Sequence, residues 1–187
     1  MEKINAVDMA SSGISRGVGS VESVEAHGYY KVTCVGADGQ VKWEDEINNL
    51  VTTVGKNYIL DNFFNSVSFT PAWYLGLVDG ASTPTYATGD TLASHTGWSE
   101  FLNYSGSNRV TPTWNSASSG SKSTNAAAFA ITSSGGTVAG CLLCSTQARN
   151  TSSNGGAGVL YSVGAFSAGN KIVTSGDTLN VTYTASV

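Results

Sequence analysis

Residues 29–47 read YYKVTCVGADGQVKWEDEI, and this stretch decides the fold class. Two runs rich in β-branched and aromatic residues, 29–35 and 41–47, flank an Asp38-Gly39 pair of the kind found in tight turns. In the second run, alternate residues differ in character, as they do in a half-buried strand. One face would carry Val41, Trp43, Asp45 and Ile47, and the other Lys42, Glu44 and Glu46. The stretch therefore predicts a β-hairpin.

Further strand-like segments follow the hairpin along the chain. The nearly continuous apolar run 72–78, AWYLGLV, is typical of a central strand that is buried on both faces. Five more segments are separated by clusters of Gly, Ser and Asn: 110–114, 126–131, 138–144, 158–166 and 178–184. Such spacing indicates an antiparallel sandwich or barrel. We predict a mainly β protein built as an antiparallel β-sandwich, with a jelly-roll-like arrangement as one form of it.

One segment departs from the strand pattern. Between Leu50 and Phe64 the apolar residues recur close to i, i+3, i+4 spacing, and Asn48, Asn49, Thr52 and Thr53 offer caps at its start. We expect one amphipathic helix here, with its apolar stripe over the open face of a sheet. Gly55 weakens this helix by about 1 kcal/mol relative to alanine.

The first 27 residues differ from the rest of the chain in having little apolar periodicity. We predict an extended N-terminal arm over residues 1–27, followed by a β-sandwich domain over residues 28–187. Such an arm cannot bury enough apolar surface to fold alone, so it is either disordered or laid along a neighbouring subunit. It contains no apolar segment of the kind that a secretory signal needs, which predicts synthesis in a cytosol.

The composition favours contact between surfaces. Of the 187 residues 12% are charged, against roughly 25% in an average globular domain. A lightly charged surface repels neighbouring surfaces weakly, which favours binding to a partner or to another copy of the chain. With a net charge of -4 and 9 scattered Lys and Arg residues, we expect no direct nucleic-acid binding. No apolar run approaches a membrane span, so no membrane partner is expected.

Three cysteines, Cys34, Cys141 and Cys144, make an odd count that implies no disulfide framework. The CxxC spacing of Cys141 and Cys144 is compatible with a zinc site or thiol exchange. The other interpretation is a set of buried apolar cysteines. Residues three apart in a strand point to opposite faces, which favours the buried interpretation. We therefore expect no metal and no cofactor.

Two polar clusters contain residue types that are found in catalytic sites. Asp90, Ser94 and His95 have the residue types of a catalytic triad, but they fall within six residues and the chain contains no G-x-S-x-G motif. We expect Asp90 to cap a short helical turn over 90–95 and His95 to be hydrogen-bonded. The acidic run 44–46 is contiguous, which indicates a solvated strand edge rather than two carboxylates facing across a cleft. Neither cluster predicts an enzyme.

Four tryptophans are spread along the chain: Trp43, Trp73, Trp98 and Trp114. Large aromatic side chains dominate both protein cores and subunit interfaces, and we favour those positions for them. The alternative is a platform on which sugar rings stack.

Several segments of residues 28–187 resemble small virion structural proteins of tailed bacteriophages. They are 49–57 (NLVTTVGKN), 73–78 (WYLGLV), 90–100 (DTLASHTGWSE), Tyr104, Arg109, 164–166 (GAF) and 176–183 (GDTLNVTY). The block from Asp90 to Arg109 is the most specific of them. The resemblance implies a virion component without enzymatic activity, so no catalytic residues are carried over to this chain.

Within that block, Trp98, Glu100, Tyr104 and Arg109 are candidates for a structural loop or an interface. An arginine–carboxylate pair held between aromatics would rigidify a long loop, with a gain of about 0.5–3 kcal/mol. The alternative is that the four residues are scattered and unpaired.

The sequence and the resemblance together lead to one functional expectation. We expect a capsid decoration or cement protein, made in the cytoplasm of the bacterial host, that binds the major capsid protein on the outer capsid surface as a homotrimer or dimer. The alternative is a tail-fibre or baseplate component whose exposed aromatics bind host surface glycans. A glycan-active enzyme is a third interpretation, based only on the aromatics and the carboxylates.

Overall fold

The structure is a computed structural model that describes residues 25–65, 72–132, 134–149 and 157–187. The predicted N-terminal arm lies outside the described residues except for residues 25–27. Of these, His27 belongs to the first strand. None of the described helices is long and apolar enough to cross a membrane.

The described chain contains eleven strands and one helix. In chain order they are β1 (His27–Val35), β2 (Val41–Asn48), β3 (Leu50–Val51), α1 (Thr53–Asn65), β4 (Tyr74–Asp79), β5 (Glu100–Phe101), β6 (Ser121–Ser123), β7 (Ala127–Ala130), β8 (Gly136–Cys144), β9 (Leu160–Ala165), β10 (Lys171–Val173) and β11 (Thr178–Ser186). They form two antiparallel sheets, in the orders β2-β1-β11-β6 and β3-β9-β8-β4-β5, with β7 beside β11 and β10 beside β8. The predicted mainly β sandwich with one helix is confirmed.

The predicted hairpin forms one side of the first sheet. Strands β1 and β2 pair with Cys34 opposite Trp43, and Gly39 has a φ of 79° in the turn between them. That positive φ explains the glycine, because L side chains avoid this region. On its other side β1 pairs with the C-terminal strand β11 over its whole length. Strand β2 is therefore an edge, where Glu44 and Glu46 are exposed as expected.

The second sheet is covered on both of its faces. Strand β4 is a buried strand between β8 and β5, which confirms the interpretation of the apolar run 72–78. In β8, Cys141 packs into the core between the sheets, whereas Leu142 and Cys144 pack into a second core with Trp98. Loop residues such as Leu92 and Tyr86 cover that second core, which gives the sandwich a third layer on this side.

Helix α1 begins three residues later than predicted. Leu50 and Val51 pair with β9 as the short strand β3 instead of forming the first turn of the helix. Thr52 then caps the helix, since its Oγ1 accepts a hydrogen bond from the Gly55 amide at 3.1 Å. A Cβ on Gly55 would lie 2.6 Å from the carbonyl oxygen of Tyr161, so the glycine allows the helix to lie directly against β9.

Two local predictions are wrong. The segment 90–95 is not a helical turn, because the backbones of Thr91 and Ser94 exchange two hydrogen bonds, of 2.9 and 3.2 Å, across a tight turn. The segment 110–114 is not a strand and contributes only isolated bridges at Val110 and Trp114. Pro112 lies between those bridges and has no amide hydrogen for a ladder. The short strands β3, β5, β6 and β10, with two or three residues each, were not predicted.

Candidate functional site

Glu100 and Arg109 form a buried ion pair. The Arg109 Nε atom donates to Glu100 Oε1 at 2.7 Å and the Nη2 atom donates to Oε2 at 2.8 Å, so the contact is bidentate. Their side chains are only 3% and 2% exposed. Gly76 in the adjacent strand leaves room for the carboxylate, because a Cβ there would approach Glu100 Oε1 to 2.9 Å. The predicted arginine–carboxylate contact is therefore present.

The pair links three separate segments of the chain. Glu100 lies in β5 and Arg109 in the loop after it, and Arg109 Nη1 donates a third hydrogen bond to the Thr146 carbonyl at 2.6 Å. Burial favours the neutral guanidine, but the hydrogen bond with Glu100 and the charge attraction of Glu100 and other neighbouring groups together outweigh burial and hold the pKa of Arg109 above its usual value. The cation is thus fixed in place, and it joins the β5 region to the end of β8.

Trp98 and Tyr104 belong to two different cores. Trp98 is in the second core, where its ring stacks on His95 at 3.9 Å and its Nε1 donates to Asp90 Oδ2 at 3.0 Å. Tyr104 is in the core between the sheets and meets Phe129 edge to face at 5.0 Å. The four candidate residues thus form one bonded pair and two aromatic side chains with separate partners.

Arg149 is a further residue of this region that the sequence did not indicate. Its guanidinium lies 4.5 Å from the centre of the Tyr104 ring, and Nη1 donates to the carbonyl oxygens of Leu102 and Tyr104. Arg149 lies 47 residues from Leu102 and 45 residues from Tyr104 in the sequence. In the sequence, the only sign of a role for Arg149 is that it is a single cation in an otherwise uncharged stretch.

The triad-like residues have other partners. The Asp90 carboxylate accepts from the Ala87 amide as well as from Trp98, so it stabilises a turn and does not cap a helix. The His95 Nδ1 atom lies 2.9 Å from the Thr91 carbonyl oxygen. These contacts, together with the stacking on Trp98, show that His95 is hydrogen-bonded as expected.

The cysteines are buried free thiols, as predicted. Cys34 and Cys141 lie in the core between the sheets and Cys144 in the second core, so the CxxC side chains diverge. Burial raises the pKa values of Cys34 and Cys144 to about 11. Within residues 25–65, 72–132, 134–149 and 157–187, no cluster of three His, Cys, Asp or Glu residues has a geometry that could hold a metal ion.

The acidic run divides between solvent and the interior. Asp45 faces inwards, where it pairs with Lys171 at 2.9 Å and accepts from Ser167 Oγ at 2.6 Å. Burial alone would raise the pKa of Asp45, but the hydrogen bonds from Ser167 and Lys171 lower it to about 2. The run is thus an edge with one inward carboxylate and not a catalytic pair.

An aromatic groove lies between helix α1 and the inner faces of the two sheets. Its volume is about 570 Å³, and its described lining residues are Tyr58, Ile59, Asn62, Phe63, Trp73, Trp114, Lys122, Leu143, Tyr161, Tyr183 and Ala185. Trp73 meets Tyr58 and Tyr161 edge to face, at 5.4 and 5.6 Å. Lys122 is the only charged side chain among these lining residues. The groove was not predicted, because its walls come from distant segments.

Helix α1 also presents an apolar helix face, made of Leu60, Phe63 and Phe64. Leu60 is 53% exposed and the two phenylalanines are each 78% exposed. The two rings meet edge to face at 4.9 Å, and Phe63 also lines the aromatic groove. The groove and the helix face therefore form one continuous apolar region.

Comparison of the chain with models of protein families, with curated proteins and with solved structures finds no match. The resemblance to virion proteins of tailed phages thus stays a prediction from the sequence.

Proposed function

We propose that this chain is a structural protein of a bacteriophage virion that decorates the capsid. It binds the outer surface of the shell formed by the major capsid protein and stabilises that shell. It acts as a homotrimer or dimer, so that one assembly contacts several shell subunits. The proposal combines the sequence resemblance with two features of the described surface and one buried ion pair.

The apolar helix face is the observation that carries the proposal. Leu60, Phe63 and Phe64 lie together on one helix and are largely exposed. Soluble monomers rarely expose contiguous apolar patches of this kind, and such patches mark sites of protein–protein contact. Aromatic side chains are enriched at the centres of interfaces. A partner surface that covers this face is what a decoration protein requires.

The outer face of the first sheet supports binding to a protein partner in a different way. The inward residues of β11 are apolar, whereas the outward positions are Thr178, Asn180, Thr182 and Thr184. The β11 part of this face is polar and uncharged, whereas the neighbouring strands place Lys31, Glu44 and Glu46 on the same face. This face therefore suits a partner surface that offers hydrogen-bonding groups to the covered threonines and asparagine.

The buried Glu100–Arg109 pair contributes rigidity. It ties long loops to the second sheet and so holds the surface in one arrangement before binding. A preorganised surface loses less conformational entropy on association, which favours tight attachment. This is a structural role for the pair and needs no catalytic step.

The aromatic groove favours the alternative of a tail component that binds glycans, because Trp73 and Trp114 offer rings for stacking. Apart from tyrosine hydroxyls and the indole N–H groups of the two tryptophans, however, only Asn62 and Lys122 give its described lining polar side chains. Sugars need several directed hydrogen bonds, which this lining provides sparsely. The copy number per virion distinguishes the two functions, since decoration requires many copies and a tail component few.

The test replaces Phe63 and Phe64 with serine. Burying each ring from its present exposure contributes about 1–2 kcal/mol, so losing both weakens binding by about 3 kcal/mol, or roughly a hundredfold. Shells that lack the protein are incubated with the variant and sedimented, and occupancy is read from a stained gel. The control is Ile172→Ser, which removes a side chain that is 73% exposed elsewhere on the surface. Equal occupancy by the phenylalanine variant and the control would contradict the proposal.

A further inference from the structure

We propose that the aromatic groove binds an amphiphilic anion, a small molecule with an apolar body and one carboxylate or similar anionic group at its end. The apolar body lies along the aromatic wall of the groove, and the anionic end meets Lys122. This site goes beyond the proposed function, because it concerns the groove and not the helix face that is proposed to bind the shell.

A row of five aromatic rings forms the wall of the groove. Tyr58 meets Trp73 edge to face at 5.4 Å, and Trp73 meets Tyr161 in the same way at 5.6 Å. The row continues from Tyr161 to Tyr183 and from Tyr183 to Trp114, with 6.3 Å between the ring centres at each step. All five side chains line the groove. Such a wall offers ring faces and ring edges in turn, which suits an elongated apolar body.

Lys122 lies beside Trp114, at one end of this row. Strand β6 pairs with β11 so that Lys122 is opposite Ala185, and opposite residues of two paired strands point to the same face of the sheet. Both residues line the groove. The Lys122 Nζ atom donates to the carbonyl oxygen of Asn115, the residue after Trp114, at 2.9 Å. The groove therefore has a cation at one end and the rings beside helix α1 at the other.

The charge of Lys122 is available to a ligand. The ion pairs between described residues all involve other cations, so no described carboxylate balances this ammonium group. An ammonium group has three hydrogens, and the bond to Asn115 accounts for one of them. A carboxylate is the complementary group for such a cation. The groove should therefore prefer an anion to a neutral molecule of the same shape.

The volume of the groove sets the size of the ligand. It is about 570 Å³, within the range of about 300–1,000 Å³ that is usual for small-molecule sites. At about 30 Å³ for each atom, the share of one molecule in liquid water, the groove holds roughly twenty non-hydrogen atoms. A ligand of this size with ordinary efficiency has a dissociation constant on the order of ten to a hundred micromolar.

The experiment uses two fluorescent probes that share the same aromatic rings. Anilinonaphthalene sulfonate is an anion, and phenylnaphthylamine lacks the sulfonate group. The wild-type chain should bind the sulfonate saturably in the range given above. Lys122→Gln should weaken sulfonate binding by about threefold to tenfold and leave binding of the neutral probe unchanged.

The matched control is Lys31→Gln, which removes the same charge from the outer face of the first sheet. The Lys31 side chain is 56% exposed and pairs with Glu44, far from the groove lining. This variant should bind both probes as the wild type does. Because Lys122 is also exposed, neither change removes a core side chain, and circular dichroism verifies that both variants are folded.

Two further measurements place the probe in the groove. Phe64→Ser changes the helix face at a residue outside the described groove lining, and it should leave binding of both probes unchanged. Dodecanoate, which has an apolar chain and a carboxylate, should displace the sulfonate probe from the wild type. Acetate at the same concentration should not displace it, because it lacks the apolar body.

Several results would overturn the proposal. They are the absence of saturable binding of the sulfonate, equal effects of Lys122→Gln and Lys31→Gln, and displacement by acetate as effective as by dodecanoate. Loss of binding in Phe64→Ser would place the probe on the helix face instead. Loss of binding as the protein concentration rises would show that a second copy fills the groove, and it would also overturn the proposal.

Discussion

Replacing Glu100 with glutamine should make the chain unfold at a markedly lower temperature. The change keeps the size of the side chain but removes the counter-charge of Arg109, whose side chain is only 2% exposed. The glutamine amide oxygen still accepts one hydrogen bond from Arg109, and the Thr146 carbonyl accepts another, but no negative charge balances the buried guanidinium. A buried cation without a counter-charge is costly in a medium of low dielectric constant.

The size of the effect follows from this burial. Breaking a buried ion pair by removing one partner costs about 3–5 kcal/mol. For a chain of this length each kcal/mol lowers the melting temperature by about 2–4 °C, so Glu100→Gln should lower it by about 6–20 °C. The remaining bond of Arg109 to Thr146 places the expected value towards the lower end of that range.

Thermal and urea unfolding, followed by circular dichroism, measure this effect. The control is Glu44→Gln, the same chemical change in a pair with Lys31 whose side chains are 52% and 56% exposed and whose charged atoms are 3.9 Å apart. A surface pair of this kind contributes less than about 1 kcal/mol. The double variant Glu100→Leu with Arg109→Met should regain most of the lost stability, because it removes both charges together.

Two results would refute this reasoning. One is a melting temperature for Glu100→Gln that equals that of Glu44→Gln. The other is a double variant that is no more stable than Glu100→Gln, since the loss would then come from packing and not from an uncompensated charge.

Three further predictions concern the carboxylates, the glycines and the thiols. The pKa of Asp45 is lowered to about 2 in the folded chain, below about 3.9 in the unfolded chain. The contribution of the Asp45 carboxylate to the free energy of unfolding is therefore present above about pH 4 and is lost as the pH falls towards 2. The difference in stability between wild type and Asp45→Asn should shrink over that interval. Gly140→Ala should cost at least about 1–3 kcal/mol in urea unfolding, because a Cβ there would overlap a backbone carbonyl of β9, whereas Gly89→Ala should be neutral. The three thiols should stay unreactive to a disulfide reagent at pH 8 until the chain unfolds, because they are buried and the pKa values of Cys34 and Cys144 are about 11.

Each of these predictions has a clear contrary result. If the stability difference between wild type and Asp45→Asn stays constant between pH 4 and pH 2, the Asp45 carboxylate does not contribute to the loss of stability in acid. Equal stabilities of Gly140→Ala and Gly89→Ala would show that the two strands separate easily. Reaction of any thiol in the folded chain would show that its core opens to solvent.

Local interactions explain why parts of the fold could be read from the sequence. The hairpin over residues 29–47 needs only alternation and an Asp-Gly turn, both of which are contained within the segment. The prediction of a helical turn over 90–95 is wrong although the composition of the segment suits a capped turn. Its backbone pairs across a tight turn instead, and Asp90 bonds Trp98, a residue outside the segment.

The candidate site likewise combines a contact between residues close in the sequence with contacts between distant segments. Glu100 and Arg109 are nine residues apart, so a pair between them could be inferred from residue types and loop length. Arg149 joins the same region only because β8 and the loop after it return beside Tyr104. The start of helix α1 moved for a comparable reason, since pairing with β9 took Leu50 and Val51 into a strand.

Residue patterns in the chain are enough to predict a lightly charged β-sandwich with one helix and buried cysteines. Those properties depend on local periodicity and composition, which act within a few residues. Where the aromatic side chains meet depends on the packing of the sheets and the helix. Trp73, Trp114 and Tyr161 form the walls of one groove because two sheets and a helix bring distant segments together, and β-sheet pairing depends on contacts between residues far apart in the chain.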